Sequence, residues 1–154
     1  MKNLATDFLE ESASLHALVA PLSDAELQQK PAFKDWTINR VIQHLHVWNL
    51  AAGLSLKGDG SFETYYSGLE AHRAAGGTMG SYETEWLGGL AGRALVEAWK
   101  AGFDETVERF SRADPSGRVK WAGPDMSVRS SLTARLMETW AHGQEVFDVL
   151  GVVR

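Results

Sequence analysis

The sequence predicts an all-α protein, a four-helix bundle with a long crossover and a helical insert between its second and third helices. Three observations carry this expectation. Apolar residues recur every three to four positions in four long segments, strand-like alternation is sustained nowhere, and the 154 residues hold no internal repeats or low-complexity linkers. A chain of this length buries roughly two-thirds of the surface that its unfolded form exposes, so residues 1–154 are expected to form a single domain.

Leu4, Phe8, Leu15, Leu18 and Leu22 share one face of a first helix, which Pro21 ends. A second helix starts near Thr37, with Asp35 as its candidate cap. It carries Ile38, Val41, Leu45, Trp48 and Ala52 on one stripe and is expected to break from Gly53 onward. Phe62, Tyr65, Tyr66 and Leu69, opened by Ser61, form a shorter helical insert whose glycine-rich exit at 74–80 reads as flexible. Leu95, Trp99, Phe103, Val107 and Phe110 mark the third long helix, stopped by the turn at Asp114-Pro115-Ser116-Gly117. The fourth follows Gly123-Pro124-Asp125 and runs to Leu150, where Gly151 stops it. The stretch from about 56 to 90 is too long for a plain hairpin and is expected to cross the bundle and cover part of it.

Composition narrows the chemistry. Twenty acidic against fifteen basic residues give a net charge of −5, with no basic run, which argues against a nucleic-acid binder. With no cysteine, the chain has no disulfide, thiolate-held metal or thiol nucleophile of its own. No apolar stretch reaches the roughly eighteen residues of a membrane span, and the N-terminus lacks the pattern of a secretory signal, so a cytoplasmic protein away from membranes is expected. The glycines at 76, 77 and 80 follow no strand and make no phosphate-binding loop, and the six tryptophans read as core and pocket wall.

The inventory left is His16, His44, His46, His72, His142 and nearby carboxylates. At about 100° per residue, Glu138 and His142 project within roughly 40° of one another, with Arg135, Glu145 and Val149 on or beside that face. His44 borders the apolar stripe of the second helix. His46 points about 200° away from it, so His44 is the inward candidate and His46 the solvent-facing one. Two imidazoles and a carboxylate meeting from facing helices suit a divalent cation and leave a coordination position open. Taken singly, a Glu and a His four apart are more often a weak surface pair, and a histidine beside an apolar stripe more often a core-edge residue. Periodicity alone leaves those readings open.

Two motifs add to this. Asp35-Trp36-Thr37-Ile38-Asn39-Arg40-Val41-Ile42-Gln43-His44-Leu45 resembles the W-T-x-x-x-V-x-x-H-L start of the second helix in the DinB-like superfamily, particularly the metal-binding N-terminal domain of mycothiol-dependent maleylpyruvate isomerases. Met126-Ser127, with Ala134-Arg135-Leu136-Met137-Glu138-Thr139-Trp140-Ala141-His142-Gly143-Gln144, is similar to that family's fourth helix and its E-x-x-x-H-G. The resemblance implies a divalent-metal site at His44, Glu138 and His142, usually zinc, with nickel and manganese as alternatives. Arg135 and Glu145 would support the ligands or touch substrate. It also implies a low-molecular-weight thiol such as mycothiol or bacillithiol, ionised at the metal for attack on a small electrophile. Sulfur would then come from outside a chain that has no cysteine. The isomerases carry a second domain that contributes to the active site, so the resemblance extends to the metal-binding half of a larger centre. Three functions follow as expectations: a thiol-dependent transferase or isomerase, a metal-dependent hydrolase with Glu145 as base, or a bundle that binds metal without catalysis. A homodimer stays open on base rate alone.

Overall fold

The computed structural model describes residues 1–30 and 35–154. In chain order it contains α1 (Lys2–Val19), a short 3-10 turn (Glu26–Gln28), α2 (Ile38–Lys57), α3 (Ser61–Ala74), α4 (Met79–Trp86), α5 (Gly92–Arg112), β1 (Arg118–Val119), β2 (Met126–Ser127) and α6 (Val128–Val149). The two strands pair antiparallel, Arg118 opposite Ser127 and Val119 opposite Met126, a ladder too short to leave an alternating pattern in the sequence. None of the described helices is long and apolar enough to cross a membrane.

The four long helices form the expected bundle. Helix α2 packs on α5 and α6, and α1 packs on the same two, so α1 and α2 sit on a diagonal. Helices α2 and α5 run in the same direction: the Gly92 amide donates to Asn39 Oδ1 (2.7 Å) near their N-terminal ends, and Gly53 faces Arg109 near their C-terminal ends. Parallel neighbours need a connection that returns the full length of the bundle, about 30 Å for a twenty-residue helix. Helices α3 and α4 make that return by lying across α2. There Phe62, Tyr65 and Leu69 close a second apolar cluster over Val47, Trp48 and Ala51.

This covering changes the reading of α2, 14 of whose 20 residues are buried. His46, expected to face solvent, is only 5% exposed and packs against α5 at Gly102. Angular arithmetic placed it opposite His44 correctly, but both sides of α2 are covered. Burial pushes its pKa down to about 4, which keeps the ring neutral.

Three local expectations are also corrected. The cap of α2 is Thr37, whose hydroxyl accepts from the Arg40 amide (3.0 Å), and Asp35 instead takes a positive φ of 58° just before it. Gly53 does not break α2, because the next turn still buries Ser55. The helix ends at Gly58, whose left-handed φ of 65° suits a residue without a side chain. The exit at 74–80 is not a loose tail but leads into α4, which a Thr78/Ser81 capping box opens.

Two glycines at the packing of α2 on α5 make opposite predictions. A Cβ at Gly53 would meet only Arg109 Nη1, at 3.7 Å, so Gly53→Ala is expected to stabilise the protein by about 1 kcal/mol through helix propensity. A Cβ at Gly102 would lie 2.9 Å from the buried His46 ring, so Gly102→Ala is expected to cost about 1–3 kcal/mol despite the same propensity gain. Urea unfolding midpoints of the two variants read the difference in sign.

Candidate metal centre

Helices α2 and α6 run antiparallel, which brings the N-terminal half of α2 against the C-terminal half of α6. His44 Nε2 lies 3.5 Å from Glu138 Oε2, and His142 Nε2 lies 3.3 Å from the same oxygen. The three donor atoms all fall within 4.8 Å of one another. Donors each about 2.1 Å from a tetrahedral zinc stand about 3.4 Å apart, close to the two separations from Glu138. The donor chemistry fits as well. Contacts from His142 first and His44 second, with Arg135 adding its charge, hold Glu138 well below the usual carboxylate range against the effect of burial. The His44 and His142 side chains are 10% and 11% exposed, whereas the Glu138 side chain is 41% exposed, so the group is walled on the protein side and open on the other. His44, Glu138 and His142 could therefore hold a divalent metal with room for an outside ligand.

Each histidine also has a carboxylate beside its other ring nitrogen. Glu83 of α4 is fully buried. Its Oε1 accepts from Trp48 Nε1 (2.9 Å) and lies 3.1 Å from His44 Nδ1, while Oε2 pairs with the Arg40 guanidinium. Burial pushes the Glu83 carboxyl up, but its contacts with His44, Arg40 and Trp48 outweigh burial and hold it below its ordinary value. Glu145 Oε1 lies 3.4 Å from His142 Nδ1, near enough for charge attraction but outside hydrogen-bond geometry. Trp36 stacks on His142 (ring centroids 5.3 Å apart, 17° between planes) and tilts against His44.

A cavity of about 200 Å³ opens beside the triad, bounded by His44, Trp48, Trp121, Ala122, Arg135 and Glu138. Arg135 is 4% exposed, with Nε and Nη1 lacking a hydrogen-bond partner among the described residues, and its guanidinium sits 5.3 Å from the Trp121 ring centre. Burial lowers its pKa only to about 10, so it keeps its charge at neutral pH. A smaller cavity of about 140 Å³ lies across α2, beside Asn49, Thr106 and Arg109, away from the triad.

The structure thus brings together His44, Glu138 and His142 and sets Arg135 and Glu145 beside them. Sequence reasoning gave no role to Glu83, and Trp36 entered it only as a motif residue. The cap residues Thr78 and Ser81 were the available sign of α4, but nothing local marks Glu83 as the residue that helix buries.

Comparison with known proteins agrees with this arrangement. The family model described as the mycothiol maleylpyruvate isomerase N-terminal domain matches residues 8–147. Uncharacterised proteins from two strains of Mycobacterium tuberculosis are each 35% identical over 149 residues, which is 96% of this chain and 56% of theirs. The chain therefore spans little more than half the length of the curated relatives it matches. No solved structure matches at a significant level. Since the family match runs from α1 to α6 and includes all three donors, the chain belongs to the mycothiol maleylpyruvate isomerase N-terminal domain family.

Proposed function

We propose that this chain is a single metal-binding domain in which His44, Glu138 and His142 hold a divalent cation, zinc in the first instance, for thiol-dependent transfer or isomerisation of a small electrophile. The observation that carries the reading is the convergence of three donors, with both separations from Glu138 near those around a tetrahedral zinc, at a site that stays open on one side. A cation bound there supplies Lewis acidity, which lowers the pKa of an incoming thiol. The family supports a thiol of the mycothiol type, and the absence of cysteine means that sulfur must be brought in.

The chain's own residues divide the remaining work. Trp36 stacks on His142 and limits the freedom of its ring, while Trp48 and Trp121 exclude water from the cavity wall. Glu145 holds negative charge beside His142 Nδ1, which favours the proton on that nitrogen and leaves Nε2 as a donor. It is turned toward the histidine, and Glu138 is the only carboxylate among the described residues that bound the cavity. Arg135 supplies the only positive charge in that wall among the described residues. Its unpaired nitrogens are suited to an anionic group on the electrophile.

Zinc is expected to raise the melting temperature of the wild-type protein. At a free concentration 100-fold above Kd the gain corresponds to about 2.7 kcal/mol. His142→Ala should lose that gain, and a wild-type protein that zinc leaves unchanged in calorimetry would overturn the reading. On the cobalt-loaded protein, addition of a low-molecular-weight thiol should produce a sulfur-to-cobalt charge-transfer band in the near ultraviolet. Arg135→Met should keep the zinc gain and unfold in urea at the wild-type midpoint or above it, because methionine fills the site without an unpaired buried charge. A loss beyond about 1 kcal/mol would show instead that the guanidinium is a structural tie.

A further inference from the structure

Helix α4 contributes one buried residue to the protein, and it is an acid: Glu83. Burying a carboxylate costs several kcal/mol unless its oxygens are satisfied, so a short helix spending its one buried position on it needs an account. Among the described residues, its side-chain partners all come from one face of α2, where Arg40, His44 and Trp48 follow one another at four-residue spacing. The two oxygens are divided among them: Oε2 takes the Arg40 guanidinium, and Oε1 takes Trp48 Nε1 and His44 Nδ1.

Holding α4 in place does not require this arrangement. The Gln43 side chain already ties α4 to α2, its Nε2 donating to Gly80 O (3.2 Å) and to Thr84 Oγ1 (2.9 Å). The Arg40 pair would fix Glu83 through one oxygen. The other oxygen accepts from the indole N–H and so is directed, as an acceptor, at His44 Nδ1 as well. With a metal on Nε2, the one proton of a neutral His44 sits on Nδ1, and an acceptor facing Nδ1 holds the ring in that tautomer and orientation. His44 Nε2 is the atom that faces Glu138.

We infer that Glu83 is a positioning residue of the metal centre, holding His44 with its proton on Nδ1 and its Nε2 turned toward Glu138 and His142. The inference rests on the reading of His44, Glu138 and His142 as a metal site, and it assigns the crossover a direct part in building that site.

Glu83→Gln separates the roles. Arg40 will claim the amide oxygen, which turns the NH₂ group toward His44 and favours the wrong tautomer. Zinc affinity, measured by competition with a chromophoric chelator, is expected to fall 10- to 100-fold. Gln43→Ala, which cuts the other tie, should speed amide exchange in α4 and leave zinc affinity at the wild-type value. Wild-type zinc affinity in Glu83→Gln, whatever its melting temperature, would overturn the inference. So would nitrogen-15 shifts of the zinc-loaded wild-type protein showing the His44 proton on Nε2, a measurement that needs no variant to fold. If the wild-type protein bound no zinc while His44 carried its proton on Nδ1, the metal reading would fail and the hold of Glu83 on His44 would stand as a feature of the fold alone.

Discussion

Two neighbouring helices that run in the same direction cannot be joined by a turn, and α2 and α5 are such a pair. Much else in the molecule follows from that constraint. The connecting chain has to travel back along the bundle, it does so across α2, and a helix that would otherwise have kept one wet face is covered on nearly every side. The covering brings aromatic rings, with Phe62 stacked on Trp121 and Tyr65 edge-on to Trp48, and these back the two tryptophans that wall the cavity beside the triad. It also brings the Glu83 carboxylate into contact with a histidine that lies far from it in sequence.

The charges at this end of the bundle are unevenly matched. Among the described residues, Glu83, Glu138 and Glu145 face Arg40 and Arg135, so with neutral imidazoles these five groups carry one negative charge in excess. Such a cluster attracts a cation, and a divalent one leaves the centre positive by one. In the proposed reading, that residual charge favours an incoming anion, sulfur or oxygen, over a neutral ligand. The position of the guanidinium matters as much as its charge. Arg40 is spent on Glu83, whereas Arg135 keeps two unpaired nitrogens close to where an outside molecule would sit.

The helices and the three donors were legible in the sequence for different reasons. Helix periodicity depends only on which residues avoid water, so the four long segments stood out, and even the ends of α5 and α6 were marked by their turn residues. The donors were legible because Glu138 and His142 sit one helical turn apart and because the stretch from Trp36 to His44 has a recognisable pattern. What failed depended on neighbours that the chain does not announce locally. His46 was misjudged because its helix was treated as having one dry side, and Gly53 because a helical glycine reads as a stop unless the turn beyond it is seen to be buried. Glu83 could not have been found at all, since a glutamate on a short helix after a glycine-rich stretch looks like any solvated acid until the donors waiting for it are known.

The parallel pairing of α2 and α5 also bears on how the chain folds. An up-and-down bundle can assemble from successive hairpins, but here neither α2 with α5 nor α1 with α6 are sequence neighbours, so the main interfaces wait on contacts between distant parts of the chain. Loop-closure entropy must be met before those contacts repay it, which places this domain among the slower helical folders. One donor of the triad lies on α2 and two lie on α6, so the three come together only after the last helix has docked. In the proposed reading, metal loading is therefore a late event in the life of the polypeptide, one that registers a finished fold and does not template it.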